Sequence, residues 1–145
     1  MTARVAWTPT QLALFERKGP KGRRPSRAKP KPAPERSTHI AVADLLRAKA
    51  QPGWWWSAIP SGELRTERTG ALLRRMGLRP GIPDMLFIAP NGAHWWLEIK
   101  RGKLGRLSEA QLEFQGMCTA RDIPHAVARS YDEAEAQLRA WGVLR

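Results

Sequence analysis

Two apolar runs, Asp84 to Ala89 and Ala93 to Lys100, are separated only by Pro90-Asn91-Gly92. Runs this short, bounded by a proline and a glycine, read as two strands of a hairpin. The length of the loop decides which side chains meet. A two-residue Asn91-Gly92 loop pairs Pro90 with Ala93 and sets Asp84 against Ile99. A three-residue loop pairs Ala89 with Ala93 and sets Asp84 against Glu98. Proline suits the second position of a type I turn and glycine the left-handed slot that follows, so the three-residue loop is expected. Side chains alternate along a strand, so Glu98 and Lys100 share a face and Ile99 points away.

The rest of the chain alternates in period around this hairpin. Ile40, Val42, Ala43, Leu45 and Leu46 predict a helix over 37–50, closed by Pro52-Gly53. Trp54 to Ile59 reads as a strand and Thr66 to Met76 as a helix stopped by Gly77. Ser108 opens a helix through Arg121, with Glu109 and Glu113 favourably placed in and near its first turn. His125 to Arg129 is a short strand, and Tyr131 to Trp141 a last helix ending at Gly142. The order α-β-α-β-β-α-β-α implies an α/β domain: a mixed sheet flanked by helices, spanning residues 37–145. Trp54, Trp55, Trp56, Trp95 and Trp96 fall on strands, where alternation sends some inward as core and leaves others able to stack on bases.

Charge marks off the first 36 residues. Lys plus Arg number 25 against 13 Asp plus Glu, a formal net charge of +12. Residues 1–36 hold ten of the basic side chains and two acidic ones. From Arg17 to Pro34 there are five prolines and no acid, too little apolar content to offset the entropy of ordering, so a mostly disordered basic arm is expected. Thr8-Pro9-Thr10-Gln11 resembles a helix start, which allows a short helix over 9–18. The arm reads either as a solvated linker or as a source of phosphate contacts. Such a positive balance points to a polyanionic partner, nucleic acid above all. A single cysteine, Cys118, excludes an internal disulfide framework and fits a reducing, cytoplasmic setting; its position in an apolar helix pattern makes it core. No run approaches 18 apolar residues, so neither a spanning helix nor a membrane partner is expected.

Chemistry concentrates at the hairpin. Two carboxylates facing each other on adjacent strands have Cβ atoms about 5 Å apart and repel unless a cation lies between them. Carboxylates favour hard, oxygen-seeking metals, so Mg²⁺ or Mn²⁺ is the expected occupant. His39, His94 and His125 do not cluster in sequence and read as structural.

Gly81-Ile82-Pro83-Asp84 followed by Glu98-Ile99-Lys100 looks like the PD-(D/E)xK nuclease signature. Glu35 with His39, Ser61-Gly62-Glu63-Leu64-Arg65, Gly77, and Leu107-Ser108-Glu109-Ala110-Gln111 narrow the likeness. Together they resemble the VRR-NUC (virus-type replication-repair nuclease) domain from about Glu35 to Gly142. His39 stands where that family leads one to expect glutamine. The resemblance implies a restriction-endonuclease-like core and a metal-dependent endonuclease that hydrolyses phosphodiester bonds in DNA. Asp84, Glu98 and the Ile99 carbonyl would hold the metal, with Glu35 reaching it directly or through water. Lys100 would orient a water and stabilise transition-state charge, and Gln111 would contact that water or a phosphate. The family also implies selectivity for branched DNA of replication and repair, in phage or mobile elements, by homodimers. Arg65, Arg68, Arg74, Arg75 and Arg79 before the site, and Arg101, Lys103 and Arg106 after it, form an expected phosphate track. No base-reading motif is visible. The alternative is a DNA-binding protein that keeps the fold without catalysis.

Overall fold

The computed structural model describes residues 34–60, 67–102 and 105–145. The expected helix over 9–18 and most of the basic arm lie outside these residues. Helix α1 (Pro34–Lys49) begins three residues before the expected start, taking in the last residues assigned to the arm. The correction has a simple cause: proline is pre-set for the first helical position, and Glu35 complements the helix dipole in the first turn. Val42, Leu45 and Leu46 recur at helical spacing and are buried. Ile40, expected among them, is half exposed, because two residues before Val42 is nearly half a turn round the helix.

The remaining elements follow the predicted order. They are β1 (Trp55–Ala58), α2 (Glu67–Arg75), β2 (Met85–Ile88), β3 (His94–Ile99), α3 (Glu109–Ala120), β4 (His125–Ala128) and α4 (Tyr131–Ala140). Each is shorter than its predicted span by one or two residues at its ends. At α3 the difference is instructive, since Ser108 and Arg121 are the caps rather than helical residues.

The four strands form one sheet in the order β1-β2-β3-β4. β1, β2 and β3 are an antiparallel meander, while β4 runs parallel to β3 after the crossover through α3. One face carries Met85, Phe87, Leu97, Ile99 and Ala128 and packs under α1 and α4, where Leu138 and Val143 complete the core. Each fully buried side chain of this size contributes about 1.5–3 kcal/mol. Trp95 and Trp141 meet edge to face with centroids 5.2 Å apart, and Trp54 abuts Trp95 at 5.6 Å. Cys118 is buried in α3 as expected, and burial pushes its thiol above the ordinary range. The opposite face of the sheet carries Asp84 and Glu98, and α3 covers part of it.

A candidate metal and phosphate site on the sheet

The hairpin turn sets the site. Gly92 holds φ +85°, its amide donates to the Ala89 carbonyl at 2.9 Å, and the Ala89 amide donates to the Ala93 carbonyl at 2.8 Å. Asn91 adds a side-chain oxygen that accepts from the Ala93 amide. Three residues therefore close the loop. The ladder runs Ile88 to His94, Phe87 to Trp95, Leu86 to Trp96 and Met85 to Leu97. One step further brings Asp84 opposite Glu98. The Asp84 Oδ2 accepts the Ile99 amide at 2.8 Å, and its own carbonyl accepts the Ile59 amide at 2.7 Å. Asp84 is thus fixed by backbone on both sides.

Glu98 is 4 % exposed, the one charged side chain buried among the described residues. Its Oε1 takes two donors, Lys100 Nζ at 2.8 Å and Gln111 Nε2 at 2.5 Å. Its Oε2 is buried with no partner among the described residues. A buried carboxylate oxygen without a donor is costly, so this atom is where the arrangement is incomplete as protein alone. Burial pushes the Glu98 carboxyl above its ordinary range; the Lys100 hydrogen bond pulls it part of the way back, and the Asp84 charge raises it again.

Gln111 has two jobs at once. Ser108 caps α3: its side chain accepts from the Gln111 amide at 3.3 Å, while Gln111 Oε1 accepts from the Ser108 amide at 2.9 Å. With the amide oxygen committed to the cap, the amide nitrogen must face Glu98. Gln111 therefore touches the carboxylate itself. The Ser-x-x-Gln spacing carries this capping signal in the sequence.

Close packing explains the glycine three residues before Asp84. Gly81 has φ +82°, and a Cβ there would lie 2.2 Å from the Ala110 carbonyl oxygen. Only glycine lets the segment leading into Asp84 press against the first turn of α3. A narrow cleft opens here, lined by Pro83, Glu98, Gln111, Phe114 and His125 among others. His125 was expected to be structural, and its Nδ1 does bond the Ile123 carbonyl at 3.1 Å. That bond makes Nδ1 the donor, since a carbonyl oxygen only accepts. The sequence held no sign that it borders the site, because its position depends on the parallel pairing of Trp96 with His125.

Other expected residues are placed differently. Glu35 lies in the first turn of α1, and among the described residues no group of three His, Cys, Asp or Glu side chains gathers to hold a cation. Arg68, Arg74, Arg75, Arg79, Arg101 and Arg106 are all exposed, as phosphate-binding residues must be. Arg65 and Lys103 lie outside the described residues. Arg129, not singled out from sequence, donates from one guanidinium nitrogen to the carbonyls of Gly102, at 3.2 Å, and Gly105. It ties the segment after Lys100 to the end of β4. The Lys100 amide itself donates to the Ala128 carbonyl at 2.9 Å.

No family model matches the sequence, and no curated protein does. Solved structures do. One titled "VRR_NUC domain protein" is 20% identical with a TM-score of 0.61, covering 77% of this chain and 89% of that one. Another, titled "VRR_NUC domain", is 19% identical with a TM-score of 0.53, covering 76% of this chain and 99% of that one.

Proposed function

We propose that this chain, whose fold is that of solved VRR_NUC domains, is a metal-dependent DNA endonuclease. The observation that carries the reading is the orphaned Glu98 Oε2 beside the Asp84 carboxylate. Two carboxylates in a half-buried setting are a hard oxygen donor set that fits Mg²⁺ or Mn²⁺, with the Ile99 carbonyl as a further ligand. When bound, such a cation supplies an acidified water and neutralises charge that builds on the phosphate.

The chain's own residues do the positioning. Asp84 is held by the Ile99 amide, and Glu98 Oε1 is held by Lys100 and Gln111, so only the buried Oε2 is left without a hydrogen-bond donor. An ammonium has three donors, and the bond to Glu98 uses one of them. The others serve to orient a water or to hold a phosphate oxygen as negative charge develops there. Lys100 and Glu98 hold each other in place: breaking a buried pair of this kind costs about 3–5 kcal/mol. The exposed arginines would grip the phosphate backbone without reading sequence.

The finer parts of the proposal are the substrate and the assembly. Branched replication and repair intermediates are the proposed substrates, cleaved by a homodimer that covers the exposed Leu72 of α2 and Met76 just after it. The basic segment 1–33 would add phosphate contacts, and removing it would then flatten the salt dependence of DNA binding. The test is a cleavage panel of labelled duplex, flap and four-way-junction DNA in Mg²⁺ and in Mn²⁺. Cleavage of the branched forms in preference to duplex supports the proposal. DNA binding without cleavage in either metal would favour the non-catalytic alternative.

A further inference from the structure

The ladder sets side chains in rows across the face of the sheet that bears the carboxylates. Ile59, Asp84 and Glu98 make one row, Ser57, Leu86 and Trp96 the next, and Trp55, Ile88 and His94 the last. Partners in an antiparallel ladder share a face, and so do residues two apart along a strand. Trp55 therefore stands on the same face as Asp84. The two rows are four residues apart, about 13 Å at roughly 3.3 Å per residue.

Cover over this face is uneven. At the β3–β4 end Phe114 of α3 closes on Trp96, ring centroids 5.2 Å apart. At the β1 end Trp55 is 53% exposed, His94 is exposed, and Leu86 and Ile88 are only half-buried. The neighbouring tryptophans, Trp54 and Trp56, pack against the core instead. Between Trp55 and Ile59 the only β1 side chain on this face is Ser57, so nothing bulky on that strand rises between the indole and the Asp84 row.

We propose that Trp55, with Ile88 beside it and His94 beyond, is a stacking site for an unpaired DNA base. The proposal rests on the nuclease reading above. Continuity with the carboxylates argues for DNA as the occupant: a strand whose phosphate lies at Asp84 and Glu98 reaches Trp55 in about four base steps at roughly 3.4 Å each. Within a continuous duplex each base face is covered by its neighbours. An indole on an edge strand therefore takes only a base that has left the stack. Stacking accepts every base, which agrees with a chain that carries no base-reading motif. The phosphates of that strand meet a chain with a formal charge of +12.

The test uses the full-length chain in chelator, where binding is read without cleavage. Anisotropy compares a labelled blunt duplex with the same duplex carrying a single-stranded extension. Trp55→Ala should lower the ratio of the two affinities by about 5- to 100-fold, and Trp55→Phe should restore most of it. On the unsubstituted chain, an extension carrying 5-iodouracil should photocross-link to Trp55, a readout that does not depend on any variant folding. An unchanged affinity ratio together with cross-links that avoid Trp55 would overturn the proposal. So would a Trp55→Ala chain whose oligomeric state falls while its DNA preference stays the same, since the ring would then cover a second copy. If the parent chain cleaves DNA and only these outcomes appear, the stacking site falls and the nuclease reading stands. If the parent chain neither cleaves nor binds DNA, both fall.

Discussion

Asp84 lies directly across the β2–β3 ladder from Glu98, and the Ile99 amide next to Glu98 donates to its carboxylate at 2.8 Å. This meeting depends on parity, because a loop one residue shorter would turn Asp84 to the opposite face. Gly92 makes the longer loop possible, with φ +85° and open space around it. Substitution there is therefore costly through backbone strain alone. Gly92→Val should lose about 1–3 kcal/mol of unfolding free energy, and Gly92→Asn much less, since asparagine tolerates the left-handed region. Urea unfolding of the two variants checks this; equal stability would show that the turn does not hold the register.

Gly81→Ala should be more damaging than its small size suggests. A Cβ at 2.2 Å from the Ala110 carbonyl cannot be accommodated by moving a flexible side-chain end. Either the strand approach or the first turn of α3 must shift, and Gln111 moves with that turn. We expect a lower melting temperature and at least a tenfold loss of cleavage, about 1.4 kcal/mol in the barrier. Normal stability and activity would contradict the packing described for this segment.

Gln111→Glu separates the two jobs of that residue. Glutamate can serve the cap as glutamine does, accepting from the Ser108 amide. It cannot donate to Glu98, and it adds a like charge beside a carboxylate that burial already raises. Helix content measured by circular dichroism should stay close to the parent's, while cleavage falls by about 10- to 1000-fold. Ser108→Ala should do the reverse in part, costing about 1 kcal/mol of stability through the cap. Full activity in Gln111→Glu would show that the hydrogen bond to Glu98 is dispensable.

The hairpin was the most legible part of the molecule because its rule is local. Pro90 and Gly92 choose the loop, and parity then delivers Asp84 to Glu98 without knowledge of the rest of the fold. Element order was legible for the same reason, since each period change is marked by a nearby glycine, proline or capping serine. What stayed hidden depends on distant pairing. His125 reaches the cleft only because β4 runs parallel to β3, and Arg129 finds the Gly102 and Gly105 carbonyls only through the same pairing. The dual role of Gln111 lay within reach, in a Ser-x-x-Gln capping pattern four residues long.

Single-turnover cleavage in Mg²⁺ by the parent chain and by Asp84→Ala tests whether Asp84 and Glu98 together hold the cation of the proposed nuclease. The parent should cleave in Mg²⁺ and stop in chelator. Asp84→Ala should retain its fold and its DNA affinity in chelator while losing about a thousandfold or more in rate, because it removes stabilisation made in the transition state. Cleavage by Asp84→Ala at the parent's rate would contradict the account.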